Sequence, residues 1–206
     1  ERFPIPGSNA EMQVLRRGLT TIQEQVQRCK HITENLLLFS RKQAVPLEAL
    51  DLVALVRDQL ANHMDSGLMR GIELQFVAEP AMPPVLGNPA LFDQVLLNLL
   101  KNARDAMNNQ GKIIVAVRRA DHSAVVEIAD EGPGIPAGII DHVFDPFFTT
   151  KPPGRGTGLG LSICYGLMAD LRGKITCGNR PDRGAWFRVF FFNDAATTEI
   201  YTLALH

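Results

Sequence analysis

Between residues 88 and 161, the chain carries four short motifs whose residue types and spacing could bind and position a charged small molecule. The first motif places Asn98, Asn102 and Asp105 at steps of four and three residues, so their side chains share one face of an amphipathic helix. Amide and carboxylate oxygens are the ligands that a hard cation such as Mg²⁺ prefers. Polar positions on a half-exposed helix would explain the same pattern without any ligand.

The second motif joins a carboxylate to a glycine turn. Residues 125–129 are mostly apolar, as in a half-buried strand, and they lead into Asp130, which Gly132 and Gly134 follow. A carboxylate at the end of such a strand is partly buried and needs a hydrogen-bond donor, because an unpaired buried charge is costly. The glycines carry no β-carbon, so the backbone can approach a flat ligand closely. A simple Asp-Gly turn between two strands is the alternative, and it also accounts for the glycines.

The third and fourth motifs follow directly along the chain. Three of the eleven Phe residues lie within five positions beside Pro146, namely Phe144, Phe147 and Phe148. A glycine series over residues 154–160 then opens a second apolar helix, and its N–H groups form a favourable place for phosphate oxygens. Lys151 and Arg155 are charged donors beside this series. A buried aromatic turn followed by a solvated loop is the simpler alternative.

In this order, the four motifs resemble the N, G1, F and G2 boxes of sensor histidine kinases, which belong to the GHKL ATPase superfamily. The resemblance covers roughly residues 46–191, and four ordered motifs are far more specific than any one of them alone. It implies ATP and Mg²⁺ as cofactors. The Phe-Phe-Thr-Thr-Lys sequence of residues 147–151 is most similar to the nitrogen-regulation branch of these kinases.

The resemblance also implies a role for each motif residue. Asp130 would bind the exocyclic amine of adenine, and Asn102 would be the metal ligand. Asn98 would contact the phosphates or a metal-bound water, and Lys101 would add positive charge toward the phosphates, so these two residues are the catalytic candidates. The complete set of cofactor-binding residues that the resemblance implies is Asn98, Asn102, Asp105, Asp130, Gly132, Gly134, Ile135, Phe147, Thr150, Lys151, Arg155, Gly156, Thr157, Gly158, Leu159, Gly160 and Leu161.

The elements around these motifs predict an α+β fold, a two-layer α/β sandwich with helices on one face of a mixed sheet, preceded by a long dimerisation helix. Strands and helices are mixed without regular alternation, which favours this sandwich. Asp51 and Asn88 are the predicted N-caps of two helices, and the second helix begins at Pro89. The predicted strands cover residues 72–77, 111–118, 123–130, 173–178 and 184–191, and a third helix covers about residues 157–171.

The first part of the chain contains a heptad stripe of apolar residues, typical of a helix in a bundle or coiled coil. Its members are Met12, Leu15, Leu19, Ile22, Val26, Cys29 and Leu36. By resemblance, residues 1–43 are a partial dimerisation domain and residues 46–191 are the catalytic ATP-binding domain; a solvent-facing linker helix is the alternative for the stripe. Residues 192–206 resemble translated adapter sequence and are interpreted as a non-native tail, with a native C-terminal extension as the alternative.

The histidines limit the functional prediction. The acceptor motif of histidine kinases, of the type His-Glu-x-x-Asn-Pro-Leu, is absent from the sequence, and His31 lacks both the acidic neighbour and the proline. The chain is therefore expected to bind Mg-ATP without phosphorylating itself. It would transfer the γ-phosphoryl group to a histidine on an acceptor helix that is missing here, for relay to the receiver domain of a response regulator.

Two other functions fit the same motifs. One is a GHKL-type ATPase, but such enzymes carry a water-activating Glu where this sequence has Asn98, and an amide cannot act as a general base. The other is a degenerate ATP-binding docking module. If the kinase interpretation holds, the parent protein forms a homodimer through its dimerisation helices.

The composition is that of an ordinary globular chain, with 206 residues, of which 46% are hydrophobic and 21% are charged. A formal net charge of -1 gives no general attraction to nucleic acid, so no nucleic-acid partner is expected. Cys29, Cys164 and Cys177 form neither a metal-ligand pattern nor a disulfide framework, which predicts reduced thiols in a cytoplasmic protein. No apolar run approaches the roughly 20 residues of a membrane helix, so no membrane segment is expected in this chain, although its parent could be membrane-anchored.

Overall fold

The chain forms two compact units, Glu1–Lys42 and Gln43–His206. A computed structural model describes residues 12–20, 22, 26, 46–120, 123–152 and 156–192. In the first unit, residues 12–20, 22 and 26 are helical, and we name this segment α1. Five residues of the predicted apolar stripe fall on it, and each is at least 40% exposed: Met12, Leu15, Leu19, Ile22 and Val26. The remaining stripe residues, Cys29 and Leu36, lie outside the described residues.

In its described residues, the second unit contains short and long strands together with three α-helices. The strands are β1 (Glu48–Leu50), β2 (Ile72–Ala78), β3 (Val85–Gly87), β4 (Gly111–Ala120), β5 (Ser123–Asp130), β6 (Lys174–Asn179) and β7 (Ala185–Phe192). The helices are α2 (Leu52–Asp65), α3 (Pro89–Ala106) and α4 (Gly160–Asp170), and Ala137–His142 is a 3₁₀ helix. None of the helices in the described ranges combines the length and the apolar character that a bilayer span requires.

Five of the strands form one mixed sheet in the order β2-β4-β5-β7-β6. Strand β2 pairs with β4 in parallel, whereas the β4–β5, β5–β7 and β6–β7 pairs are antiparallel. Helix α3 contacts β4 and β5, and α4 contacts β6, so the helices and the sheet form the α/β sandwich that the sequence predicts. Strands β1 and β3 pair in a small antiparallel sheet, and the 3₁₀ helix lies between the second and third motifs.

Two helices begin where the capping residues predict. Asp51 Oδ1 accepts a hydrogen bond from the Ala54 N–H at 3.0 Å, and Asn88 Oδ1 accepts from the N–H groups of Ala90 and Leu91, both at 3.1 Å. Helix α4 begins at Gly160, three residues later than predicted. The reason is Gly158, whose φ of +67° is left-handed and cannot continue a right-handed helix.

The core lies between α3 and the sheet. The buried face of α3 is apolar and consists of Phe92, Val95, Leu96, Leu99, Leu100 and Ala103. The ring of Phe92 packs edge-on against Phe191 of β7, with ring centroids 5.2 Å apart at an interplanar angle of 74°. This packing fixes the rotation of α3 about its axis, so its partly exposed polar residues occupy the other side of the helix. The partly exposed polar residues of α3 include Asn98, Lys101, Asn102 and Asp105.

Replacing Phe92 by Ala should destabilise the second unit strongly, because the side chain is fully buried and its loss leaves a cavity between helix and sheet. The expected loss is about 3–5 kcal/mol in the free energy of unfolding, measured by urea denaturation. Leu86→Ala is the matched control, since Leu86 is 52% exposed on β3 and its loss should stay within about 0.5 kcal/mol. Equal losses for the two variants would contradict this account of the core.

Candidate functional site

The site is built around the carboxylate of Asp130, the last residue of β5. Asp130 pairs with Ile113 near the start of β4 and is only 3% exposed. Its Oδ1 accepts hydrogen bonds from the backbone N–H groups of Gly132 at 2.8 Å and of Ala185 at 3.2 Å. Within the described residues both of these bonds go to the same oxygen, which leaves Oδ2 as an acceptor for another donor.

The surroundings of Asp130 change the pKa of its carboxyl group. Burial raises this pKa, while the backbone hydrogen bonds from Gly132 and Ala185 and the positive charge of Arg180 lower it, and the net pKa lies above the ordinary value. Burial therefore dominates, because few donors offset the loss of water around the charge. A further hydrogen-bond donor to Oδ2 would stabilise the ionised form, which is the chemistry expected of a site that binds an amine.

The loop that follows Asp130, residues 131–135, is called here the G1 loop. Gly134 has a φ of +81°, a conformation that glycine adopts without strain. The Asn179 side chain at the end of β6 binds this loop twice: its Oδ1 accepts from the Ile135 N–H at 2.6 Å, and its Nδ2 donates to the Ile135 carbonyl at 2.7 Å. Asn179 lies on β6, whereas β4 pairs with the other edge of β5. The G1 loop is therefore held from the β6 side of the sheet.

The G1 loop also brings Asp130 close to the polar face of α3. A β-carbon at Gly132 would lie 2.8 Å from Asp130 Oδ1 and 3.3 Å from the β-carbon of Ala106, the last residue of α3. Asn102 lies one turn before Ala106 on the same helix face, or about 6 Å along the axis. A β-carbon at Gly160, the first residue of α4, would lie 4.0 Å from Asn102 Nδ2. Asp130, Asn102 and the start of α4 therefore lie on one side of the sandwich.

Asn98, one turn earlier on α3, contacts α4 at Cys164. Burial raises the pKa of the Cys164 thiol to about 12, with a smaller lowering from a hydrogen bond with the Asn98 side chain. The Cys164 Sγ also lies 3.8 Å from the Val95 carbonyl. Asn98 is thus placed against α4, while Lys101 remains partly exposed on α3.

An ion pair joins the first and third motifs directly. Lys151 Nζ lies 2.6 Å from Asp105 Oδ2, and Arg104 Nη2 lies 2.9 Å from Asp105 Oδ1. Arg104 also donates through Nη1 to the Leu68 carbonyl at 2.9 Å. Burial raises the pKa of Asp105, but the hydrogen bonds from Lys151 and Arg104 outweigh it, so the net pKa lies below the ordinary value. Two of the predicted cofactor-binding residues, Asp105 and Lys151, therefore bind each other in this structure.

The third and fourth motifs pack against each other through their glycines. A β-carbon at Gly158 would overlap the backbone of Phe147, and one at Gly156 would lie 2.7 Å from Thr149 Oγ1 and 3.2 Å from Lys151 Cβ. Phe147 itself has a φ of +66° and is 65% exposed. The two motifs therefore form one compact segment beside α3.

The remaining predicted residues differ in their surroundings. Leu159 is buried at the start of α4, where its side chain belongs to the core, and Thr157 Oγ1 accepts a hydrogen bond from the Leu159 N–H at 3.3 Å. Leu161 is partly exposed and Thr150 is exposed. Arg155 lies outside the described residues.

The structure adds a group of residues that the sequence motifs did not identify, namely the turn between β6 and β7. Next to Asn179, the last residue of β6, the turn contains Arg180, whose Nη1 donates to the Asp130 carbonyl at 3.2 Å, and Arg183, whose Nε donates to the Gly132 carbonyl at 3.3 Å. Gly184 has a φ of +96°, and a β-carbon there would overlap the Asp130 carbonyl oxygen. The Pro, Asp and Gly residues at positions 181–184 indicate a turn in the sequence, but they do not indicate that it contacts the G1 loop.

Comparison with known proteins identifies the same region. The family model described as "Histidine kinase-, DNA gyrase B-, and HSP90-like ATPase" matches residues 87–195. The sensor kinase CckA of Brucella abortus (strain 2308) is 35% identical over 188 residues, which is 84% of this chain. The chain spans only 20% of the length of CckA.

Solved structures give the same result for the fold. The nucleotide-free catalytic domain of the histidine kinase ThkA superposes with a TM-score of 0.64 at 31% identity, covering 72% of this chain and 97% of that domain. A structure of ThkA in complex with the response regulator protein TrrA gives a TM-score of 0.74 at 25% identity, covering 93% of this chain and 53% of that one. The chain therefore belongs to the family of histidine kinase-, DNA gyrase B- and HSP90-like ATPases, and it carries the ATP-binding catalytic region of a sensor histidine kinase.

Proposed function

We propose that the chain binds Mg-ATP between the G1 loop and the polar face of α3, and transfers the γ-phosphoryl group to a histidine of a dimerisation domain. The observation that carries the proposal is the buried carboxylate of Asp130, whose two backbone donors both bind Oδ1. The phosphoryl group would then pass to the receiver domain of a response regulator. The solved complex of ThkA with the response regulator TrrA supports this partner by analogy.

The base end of the proposed site fits adenine in its chemistry. Asp130 Oδ2 would accept the hydrogen bond of the exocyclic amine, which matches the need of a buried carboxylate for one more donor. Gly132 has no side chain, so the G1 loop can pack closely against Asp130 and against Ala106 at the end of α3. Ile135, which Asn179 fixes, would close this end of the site.

At the other end of the proposed site, the residues fit a Mg²⁺ ion that is held mainly by the phosphates of ATP. In the described part of the chain, no group of three or more His, Cys, Asp or Glu side chains is placed to hold a metal ion. Mg²⁺ often binds through one or two protein oxygens together with substrate phosphates, so the single amide of Asn102 is sufficient in this role. Bound there, Mg²⁺ would supply positive charge against the phosphate oxygens. Asn98 and Lys101 would contact the same phosphates.

The start of α4 supports phosphate binding. Helices α2 and α3 have side-chain caps, whereas α4 has no side-chain hydrogen bond at its N-cap within the described residues. Its first N–H groups can therefore bind anionic oxygens, and the helix dipole adds to this attraction. We propose that the segment from Gly156 to Leu161 binds the phosphates in this way. Contacts of Phe147, Thr150 and Arg155 with the nucleotide remain predictions of the family resemblance.

Lys151 would serve as a charged donor to the phosphates. In this structure it pairs with Asp105 at 2.6 Å, so it must share or leave that carboxylate when it binds a phosphate oxygen. Phosphoryl transfer requires positioning and charge stabilisation rather than a covalent intermediate on the protein. Asn98 cannot activate a water as a general base, which favours transfer to histidine over hydrolysis.

Several finer assignments belong to the same proposal. The Phe-Phe-Thr-Thr-Lys sequence of residues 147–151 supports the nitrogen-regulation branch. Residues 1–43 would be a partial dimerisation domain through which the parent forms a homodimer, residues 46–191 the catalytic domain, and residues 192–206 a non-native tail. Cys164 and Cys177 are free thiols, which supports a cytoplasmic location.

Asp130→Asn should weaken Mg-ATP binding by about 10–100-fold, because a hydrogen bond to a charged group contributes about 1.5–3 kcal/mol. Isothermal calorimetry measures the Kd, and circular dichroism checks that the variant is folded. Asp58→Asn, at an exposed position of α2, is the control for the change of charge and should bind as the wild type does. An unchanged Kd for a folded Asp130→Asn variant would refute the base-binding role.

With ATP labelled at the γ-phosphate, label should appear on a separately supplied dimerisation domain that contains an acceptor histidine. Asn102→Ala should reduce this transfer by at least about 100-fold, since its oxygen would hold the metal. Rapid release of phosphate without the added domain would instead identify an ATPase. ATP binding without transfer to any acceptor domain would identify a docking module.

Asp105→Asn should lower the melting temperature at pH 7 modestly, because a partly exposed ion pair contributes only about 0.2–1 kcal/mol. The folded-state pKa of Asp105 lies below its unfolded value of about 3.9, so the stabilisation is present above that pH and is lost as the pH falls through the folded pKa. The difference between wild type and variant should therefore shrink below about pH 4. A difference that stays constant on acidification would contradict the ion pair.

A further inference from the structure

The turn that connects β6 to β7 contacts the G1 loop along most of its length. We propose that this turn is a positioning element for the base end of the nucleotide site, and that Asn179 is its principal positioning residue. The inference rests on the proposed function and extends it to residues outside the four motifs. It assigns to the β6–β7 turn the task of holding the G1 loop in its binding conformation.

Asn179 binds one residue of the loop with both halves of its amide. Its Oδ1 accepts from the Ile135 N–H at 2.6 Å, and its Nδ2 donates to the Ile135 carbonyl at 2.7 Å. The side chain thus pairs with the loop as a neighbouring strand would, through one donor and one acceptor. Asp lacks the donor, and Ala lacks both groups, so the pairing depends on the amide.

The rest of the turn binds the loop at its other end. Arg180 and Arg183 donate to the carbonyls of Asp130 and Gly132, at 3.2 and 3.3 Å. The Ala185 N–H, at the end of the turn, donates to Asp130 Oδ1 at 3.2 Å. These contacts fall on the carboxylate that would bind the base and on the backbone beside it.

The fit between turn and loop leaves no space for a side chain at Gly134 or at Gly184. A β-carbon at Gly134 would lie 2.8 Å from Asn179 Oδ1 and 3.4 Å from the Gly184 carbonyl oxygen. A β-carbon at Gly184 would overlap the Asp130 carbonyl. The loop and the turn are therefore packed closely at Gly134 and Gly184, beside the Ile135 backbone that Asn179 binds.

Asn179 is well suited to a test because its side chain is exposed and yet binds the backbone of Ile135 in the G1 loop. Its side chain is not part of the apolar core, so its removal should leave the sheet intact. Its backbone carbonyl, which accepts from Trp186 Nε1 at 3.1 Å, remains in every variant. Loss of function can therefore be separated from loss of folding.

The experiment compares Asn179→Ala with Asn62→Ala, which removes an amide from an exposed position of α2 away from the site. Calorimetric titration with Mg-ATP and Mg-ADP should give Kd values raised by roughly 3–30-fold for Asn179→Ala, since about two hydrogen bonds are lost. The increase should be the same for both nucleotides, because the base end is common to them. Asn179→Asp, which keeps the acceptor and loses the donor, should also weaken binding, and Asn62→Ala should not.

Amide hydrogen exchange at Ile135 measures whether the G1 loop is still held, because the Ile135 N–H donates to Asn179 Oδ1. Exchange should be faster in Asn179→Ala, with the melting temperature and the exchange of core amides unchanged. If the wild-type protein binds Mg-ATP and Asn179→Ala binds it with the same Kd, the inference is overturned while the proposed function stays in place. A wild-type protein that binds neither nucleotide would overturn the proposed function itself, and this inference with it.

Discussion

The carboxylate of Asp130 is held by backbone N–H groups from two separate segments, and the geometry of the whole site depends on this. One donor, Gly132, belongs to the loop that follows, and the other, Ala185, begins the neighbouring strand β7. A carboxylate buried to this degree needs hydrogen-bond donors to offset the loss of water around it. The position of Oδ2 therefore depends on both the loop and β7, because both hold Oδ1.

Helix α3 contributes to the site because it has one apolar face, which must be buried, and one polar face, which must stay accessible to water. The apolar face packs on the sheet through residues such as Phe92, and any rotation of the helix would bury its amides and expose that face. The hydrophobic effect thus sets the direction in which Asn98 and Asn102 point. The core and the polar residues are not independent features, since the first orients the second.

Sequence reasoning succeeded where the determinants are local and failed where they are distant. The helix starts at Asp51 and Asn88 could be predicted because a capping side chain and the N–H groups that donate to it are separated by only two or three residues. The start of α4 was misplaced because the conformation of Gly158 is set by packing against Phe147. The pairing of Asn179 with Ile135 spans 44 residues, and that of Lys151 with Asp105 spans 46, so no periodicity connects them.

The uncapped start of α4 has a consequence for how this protein can be changed. A capping side chain cannot simply be introduced at position 159, because Leu159 is buried in the core and a Ser or Asp there would lose that packing and bury a polar group. The first N–H groups of α4 therefore stay open, and an anion that binds them would stabilise the folded protein in the way a cap does.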